Sequence, residues 1–356
     1  MTSQDAIRSI SRNRLATYKD RIGVATDEQS LGLYLWNKKL SGVFLPVLQL
    51  LEISLRNAVH MGYLEHQKKQ ILALGPPSAA LNTLLDRAWF KTFFDANRAQ
   101  HNESYKQIQL AEQALLKMKR TVDIDQTIAK LSFGFWVHLC SKRHNDSNTD
   151  SLMLWPTIRD EVFPAAKRGA NYLSMREIQD TLAQINDIRN RIAHHEPIWH
   201  AVHLYDLPAF INKLIRDFEK CLDVIGWINP ANLKTVALME SALEFAHLCT
   251  PATIHSFQQL GDEFHNVAAV DPAAWAATCM VEERHNGVVI TVTAKSTVIK
   301  SLKDKKTFVL DTMGTWAKQA SLDLQLHESV NFRPARWQNA GGKIILLARS
   351  VERGHI

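Results

Sequence analysis

The stretch LGLYLWNKKLSGVFLPVLQLLEISLRNAVHMGYLEH, residues 31–66, decides the fold class. Its apolar residues recur every three or four positions, the period of one face of an α-helix. Leu48, Leu51, Leu55 and Val59 form one stripe, with Glu52 and Arg56 four apart beside it. Proline is tolerated in a first turn, so a helix is expected to start at Pro46.

The same texture runs outward from about Ser11 to Ile228. Gly75 to Ser78, GPPS, reads as a loop. Ser104 to Lys119 reads as a helix with Ile108, Leu115 and Met118 in the core. LSFGFWVHLC, residues 131–140, reads as an apolar helix, and KRHNDSNTD, residues 142–150, as a polar loop. Ile178, Leu182, Ile185 and Ile192 repeat at helical spacing. Pro197 should end that helix near His195. Further helices are expected over Pro208–Val224, closed by GWINP at residues 226–230, and near Leu233–Leu248. Beyond that the texture changes. Asn286-Gly287 precedes the β-branched run Val288–Thr293. Thr307–Leu310, Ser321–Leu326 and Lys343–Ala348 are further strand candidates. The fold class expected is mainly α. A helical bundle domain fills residues 1–230, a connecting helix 231–250, and a small α+β domain 251–356.

Composition sets bounds. The chain has 356 residues, 46% hydrophobic and 22% charged, which excludes disorder as a general description. No run of about 18 apolar residues stands out, so neither a transmembrane helix nor a membrane partner is expected. The opening MTSQDAIRSISRNR lacks the apolar core of a secretory signal. Cys140, Cys221, Cys249 and Cys279 lie far apart with no CxxC pair, which disfavours a zinc knuckle. Free thiols fit a reducing cytoplasm. The net charge of +6 permits a polyanionic partner without requiring one.

Three stretches then narrow the reading: residues 31–60, LSFGFWVHL at 131–139, and IRNRIAHHEPIW at 188–199, with GWINP as a tail. In this order they resemble the Abi-like (abortive infection) family of bacterial proteins. That family is similar to the HEPN superfamily of helical domains, many of them RNA-cleaving toxins or phage-defence effectors. The resemblance covers about residues 12–230. It implies an arginine, a polar neighbour and a histidine as the functional set, which fall on Arg189, Asn190 and His194. It also implies RNA as substrate, a homodimer with a composite site, and no cofactor. Some HEPN domains bind without cutting, so a non-catalytic RNA- or protein-binding module is the alternative.

The residue types suit that chemistry. Histidine titrates near neutrality and can serve as acid or base. Arginine stays charged and grips phosphate oxygens. Asn190 can orient either partner. Residues five apart on an ideal helix diverge by roughly 140°. Arg189 and His194 of one chain therefore should not converge alone, whereas Asn190 and His194 share a face. A two-fold axis would bring a second copy to the pair. The last-turn dipole favours protonated His194, which suits a general acid.

Bland readings stand beside these. Arg189 can pair with Asp187 or Glu196 on a solvated face. His195 lies roughly 100° round the helix from His194 and reads as a structural hydrogen-bonder. Glu196 either orients a histidine or caps the turn. Arg56, Asn57 and His60 form a shorter RNxxH. Its plain reading is an i,i+4 ion pair of Glu52 with Arg56 in a structural network, and its minority reading is phosphate binding. His194, His195, His200 and His203 invite a metal, but no cysteine or HExxH accompanies them. Phe133, Phe135, Trp136, Trp89, Phe90 and Trp199 can stack bases but read as core. Lys295, Lys300, Lys303, Lys305 and Lys306 read as a solvated face diluted by Asp304. No P-loop, GxSxG or strand-borne GxGxxG is present.

Overall fold

The computed structural model describes residues 2–22, 24–76, 80–147, 152–199, 207–270, 284–293, 296–310, 324–338 and 344–353. The chain divides into two units, Met1–Val267 and Ala268–Ile356.

In the first unit, α1 (Ser3–Ile10) and α2 (Arg12–Ile22) precede α3 (Asp27–Ala73), a helix of 47 residues. Then come α4 (Trp89–Ala96), α5 (Asn102–Lys117), α6 (Ile124–Lys130), α7 (Phe133–Leu139) and α8 (Arg159–Val162). A two-residue hairpin, β1 (Lys167–Arg168) with β2 (Asn171–Tyr172), leads to α9 (Met175–Ala193). The remaining helices are α10 (Leu207–Ile228), α11 (Asn232–Leu238), α12 (Ser241–Leu248) and α13 (Pro251–Asp262).

Helix α3 is the spine. Thr26 caps it, its hydroxyl accepting from the Gln29 amide at 3.1 Å, and Asp27 and Glu28 sit on the positive end of the dipole. Helices α2, α8, α10, α12 and α13 all pack against it. One 18-residue window of α3 reaches a mean hydropathy of 1.3, long and apolar enough to cross a membrane by composition. That qualifies the sequence reading. Seventeen α3 residues are nonetheless buried, among them Trp36, Phe44, Leu51 and Leu55, which is the pattern of a central core helix.

Pro46 lies inside α3 rather than at its start. It removes the amide that would bond to the Gly42 carbonyl. Gly42 is exposed, with open space beside it, so water can serve that carbonyl and the helix continues. The helix expected over Leu233–Leu248 is broken into α11 and α12 by Glu240, at φ 58°. Met118 is exposed, beyond the end of α5, while Ile108 and Leu115 are buried as expected. The aromatic residues Trp89, Phe90, Phe133, Phe135, Trp136 and Trp199 are all core. Helix α13 belongs to the helical unit and not, as the sequence suggested, to the C-terminal domain.

The turn after α7 buries His144 completely. Its ring meets His138 edge-on at 5.3 Å and stacks on His101 at 6.1 Å. Burial first, then His138, His101 and Arg143, push its pKa down to about 3. The folded chain therefore holds His144 neutral where the unfolded chain protonates it, below about 6.5. Its contribution is complete above pH 6.5 and is lost as pH falls toward 3, at about 1.4 kcal/mol per pH unit. Urea unfolding between pH 7 and pH 4.5 should show this slope, and His144→Phe should flatten it. An unchanged slope in the variant would assign the acid sensitivity elsewhere.

The second unit is a barrel. Strands β3 (His285–Val292), β4 (Thr297–Ser301), β5 (Thr307–Leu310), β6 (Ser329–Gln338) and β7 (Ile344–Arg353) close in the order β3-β4-β5-β7-β6. All neighbours are antiparallel except β5 and β7, where Val309 faces Leu347. This is the connectivity of OB-type barrels. Val289, Ile299, Phe308, Val330 and Phe332 fill the interior. Among the described residues beyond Val267 there are strands and turns but no helix; residues 271–283 and 311–323 lie outside them. Of the Ser321–Leu326 strand candidate, residues 321–323 lie outside the described residues and Leu324–Leu326 is not strand.

Candidate functional site

Helix α9 carries the three candidate residues. A reciprocal cap starts it: the Ser174 hydroxyl accepts from the Glu177 amide at 3.2 Å, and Glu177 accepts from the Ser174 amide at 2.9 Å. Ile178, Leu182, Ile185 and Ile188 are buried and fix its rotation. Arg189 and Asn190 are half-buried beside that stripe, and His194 is exposed.

The Arg189 guanidinium donates from Nη1 to Asn190 Oδ1 at 3.4 Å. Glu52 of α3 is its nearby carboxylate. Burial raises the Glu52 pKa, while Arg189 and, less strongly, Arg56 draw it down. Burial is the larger effect, so the Glu52 carboxyl stays above its ordinary range and the two guanidiniums offset only part of the rise. Arg56 gives Nη1 to the Ala129 carbonyl at 3.3 Å. Among the described residues no direct Glu52–Arg56 ion pair forms, which corrects the i,i+4 pairing expected from spacing. Nor does Arg189 pair with Asp187 or Glu196. Glu196 pairs with Arg191 instead, at 3.3 Å.

His194 is the C-cap of α9, its amide bonding to the Asn190 carbonyl at 2.9 Å. His195 follows at φ 58°. The His195 amide reaches the Ile192 carbonyl at 3.1 Å, and the Glu196 amide reaches the Arg191 carbonyl at 2.8 Å. These two bonds make a Schellman closure with histidine at the position that glycine favours. Arg14 Nη1 and Lys38 Nζ both donate to the His195 carbonyl, at 3.2 and 3.4 Å. Two cations thereby meet the negative end of the helix dipole. Burial, then Arg14, lowers the Lys38 pKa. Asn37 clamps the chain beyond. Its Nδ2 donates to the Glu196 carbonyl at 3.3 Å, and its Oδ1 accepts from the Ile198 amide at 3.2 Å. Trp199 then locks between Tyr18, Trp36 and Phe210. A cavity of about 360 Å³ lies at this turn, lined by Arg14, Thr17, His195 and Glu196 among others.

The expected set thus splits by role. Arg189 and Asn190 touch each other, His194 projects one turn on, and His195 and Glu196 build the closing turn. Arg56 and Arg189 both act electrostatically on Glu52. Spacing alone did not mark Glu52 as Arg189's neighbour, nor Arg14 and Lys38 as basic residues at the end of α9. These couplings join residues more than a hundred positions apart. Among the described residues no group of three or more His, Cys, Asp or Glu side chains is arranged to hold a metal ion. His200 and His203 lie outside them.

The structural role of His195 has a direct test. A non-glycine residue in the left-handed region costs roughly 1 kcal/mol. His195→Gly should therefore be neutral or stabilising by up to about 1 kcal/mol in urea unfolding. A clear loss of stability in the variant would contradict a backbone role for this position and give the ring a packing role instead.

Residues 7–200, which include α3, α9 and the turn that closes it, match the Abi-like protein family. The chain belongs to the Abi-like family. No curated relative and no solved structure is significantly similar to it. The matched segment of this Abi-like protein extends past the Asn37 clamp on Glu196 and Ile198, so spine and candidate site lie together inside it. The barrel lies outside the match.

Proposed function

We propose that this Abi-like protein is a metal-independent endoribonuclease of the HEPN type, a cytoplasmic toxin or abortive-infection effector that works as a homodimer. The family supports an abortive-infection type of role. The observation that carries the chemical step is the Arg189–Asn190 contact one turn before an exposed His194. In this reading the RNA 2′-oxygen attacks the adjacent phosphorus and loses its proton to a base. The bond from phosphorus to the 5′-oxygen breaks, and His194 delivers a proton to that oxygen. Arg189 holds the phosphoryl oxygens as charge builds on them. Asn190 orients the guanidinium. Arg189 and His194 of one chain make no mutual contact among the described residues, which supports a site completed by a second copy.

The products expected are a 2′,3′-cyclic phosphate and a 5′-hydroxyl. Mapping the ends formed when the purified chain is incubated with tRNA, rRNA and mRNA tests this. Ends bearing a 5′-phosphate would contradict it. A second reading, a non-catalytic RNA-binding module, draws support from the OB-type connectivity of the barrel, a fold used for oligonucleotides and oligosaccharides. It expects His194→Ala to leave function intact.

A further inference from the structure

The short motif Arg56-Asn57-x-x-His60 is not part of the turn that ends α9. It lines a cavity of about 790 Å³, together with Lys68, Arg87 and Asp125. That volume is in the range of small-molecule sites.

His60 is 5% exposed. Trp89 stacks on its ring and donates from Nε1 to His60 Nδ1 at 3.2 Å. An indole N–H only donates, so Nδ1 accepts and the neutral ring carries its proton on Nε2. Burial, then the nearby Arg87, lowers the His60 pKa and keeps the ring neutral. The Nε2–H is buried and has no acceptor among the described residues. Nε of Arg56 is buried in the same condition. Such donors are costly unless an acceptor reaches them.

The rest of the wall is mixed. Arg87 grips Asp125 at 2.7 and 3.0 Å, and Lys68 pairs with Glu65 at 3.3 Å. Met61, Leu85 and Ile128 give an apolar side. Two unmet N–H donors beside two further cations suit an acceptor-only group with several oxygens, which is a phosphate. An apolar side with Asn57, Asn82 and Asp125 nearby suits a flat body that carries amines and hydroxyls.

We propose that this cavity binds a nucleoside monophosphate, with its phosphate on His60 Nε2–H and Arg56 and its base on the Met61, Leu85 and Ile128 side. The unit has two sources, a free mononucleotide or the phosphorylated 5′ end of an RNA. Binding here requires no activity from His194, so it stands or falls apart from RNA cleavage.

Calorimetric titration of the full chain tests it, with AMP, GMP, adenosine and a short RNA bearing either a 5′-phosphate or a 5′-hydroxyl. We expect one saturable site per chain for the phosphorylated ligands and none for adenosine. His60→Phe removes the donor and keeps a ring beside Trp89. Arg87→Ala removes a cation of the wall, and because its pair with Asp125 is exposed the fold is kept. Each should weaken binding by at least about tenfold. Saturation by AMP or GMP identifies the free nucleotide as sufficient. Saturation by the 5′-phosphorylated RNA alone identifies the RNA end. No saturation by either at millimolar concentration, equal binding of adenosine, or binding unchanged in both variants would overturn the proposal.

Discussion

His194→Ala is expected to lower RNA cleavage by roughly a hundred- to ten-thousand-fold, the span of a lost general acid or base. The folded chain should be almost untouched, because the ring is exposed and the C-cap bond to Asn190 is made by the backbone. Arg189→Ala should lose a similar factor through the phosphoryl oxygens. It also strips one of two cations from the half-buried Glu52, so some stability is lost with it. Arg189→Lys keeps the charge but not the planar fork, and should recover stability better than rate. Mixing the two inactive chains separates a composite site from a self-contained one. In a mixed dimer whose sites take Arg189 from one copy and His194 from the other, one intact site forms and activity partly returns. Sites complete within one chain give no recovery.

Gly32→Ala is expected to destabilise the helical unit by about 3 kcal/mol or more, although alanine is the better helix former. A Cβ at Gly32 would sit 1.9 Å from the Phe257 carbonyl oxygen, and one at Gly261 would sit 1.9 Å from that of Glu28. Helices α3 and α13 thus meet backbone to backbone at two glycines, and no flexible side chain is there to yield. The methyl group forces α13 off the spine. Thermal unfolding should fall by roughly 6–12 °C, and the α13 segment should become sensitive to protease. Gly42→Ala is the control. It meets nothing within 4 Å and sits in the same helix, so it should be neutral or slightly stabilising. Equal stability of the Gly32 and Gly42 variants would refute the close crossing.

Much of this architecture is legible from periodicity, because a helix that buries one stripe must repeat it. The stripe Leu48, Leu51, Leu55, Val59 is core, and Pro197 lies three residues beyond the C-cap of α9. Pro46 misled because its local cost is decided by Gly42, whose carbonyl can reach water. Strand β4 hid inside a lysine-rich run. Only Ile299 and Ser301 point inward there, while Lys300 faces out, so charge masked the alternation. Strand β6 hid behind Pro334, which pairs with Ala348 but lies beyond the four residues that pair with β3. The site was legible as residue types and spacing. Its neighbours were not, since Glu52, Lys38 and Arg14 reach it only through tertiary packing.

The most direct test of the central claim is paired expression of wild type and His194→Ala in a bacterial host, with RNA sequenced at its 5′-hydroxyl ends. At equal soluble protein, wild type should arrest growth and accumulate cuts that the variant lacks. Indistinguishable growth and identical ends, with and without phage challenge, would contradict a catalytic His194 and leave the binding module as the better account.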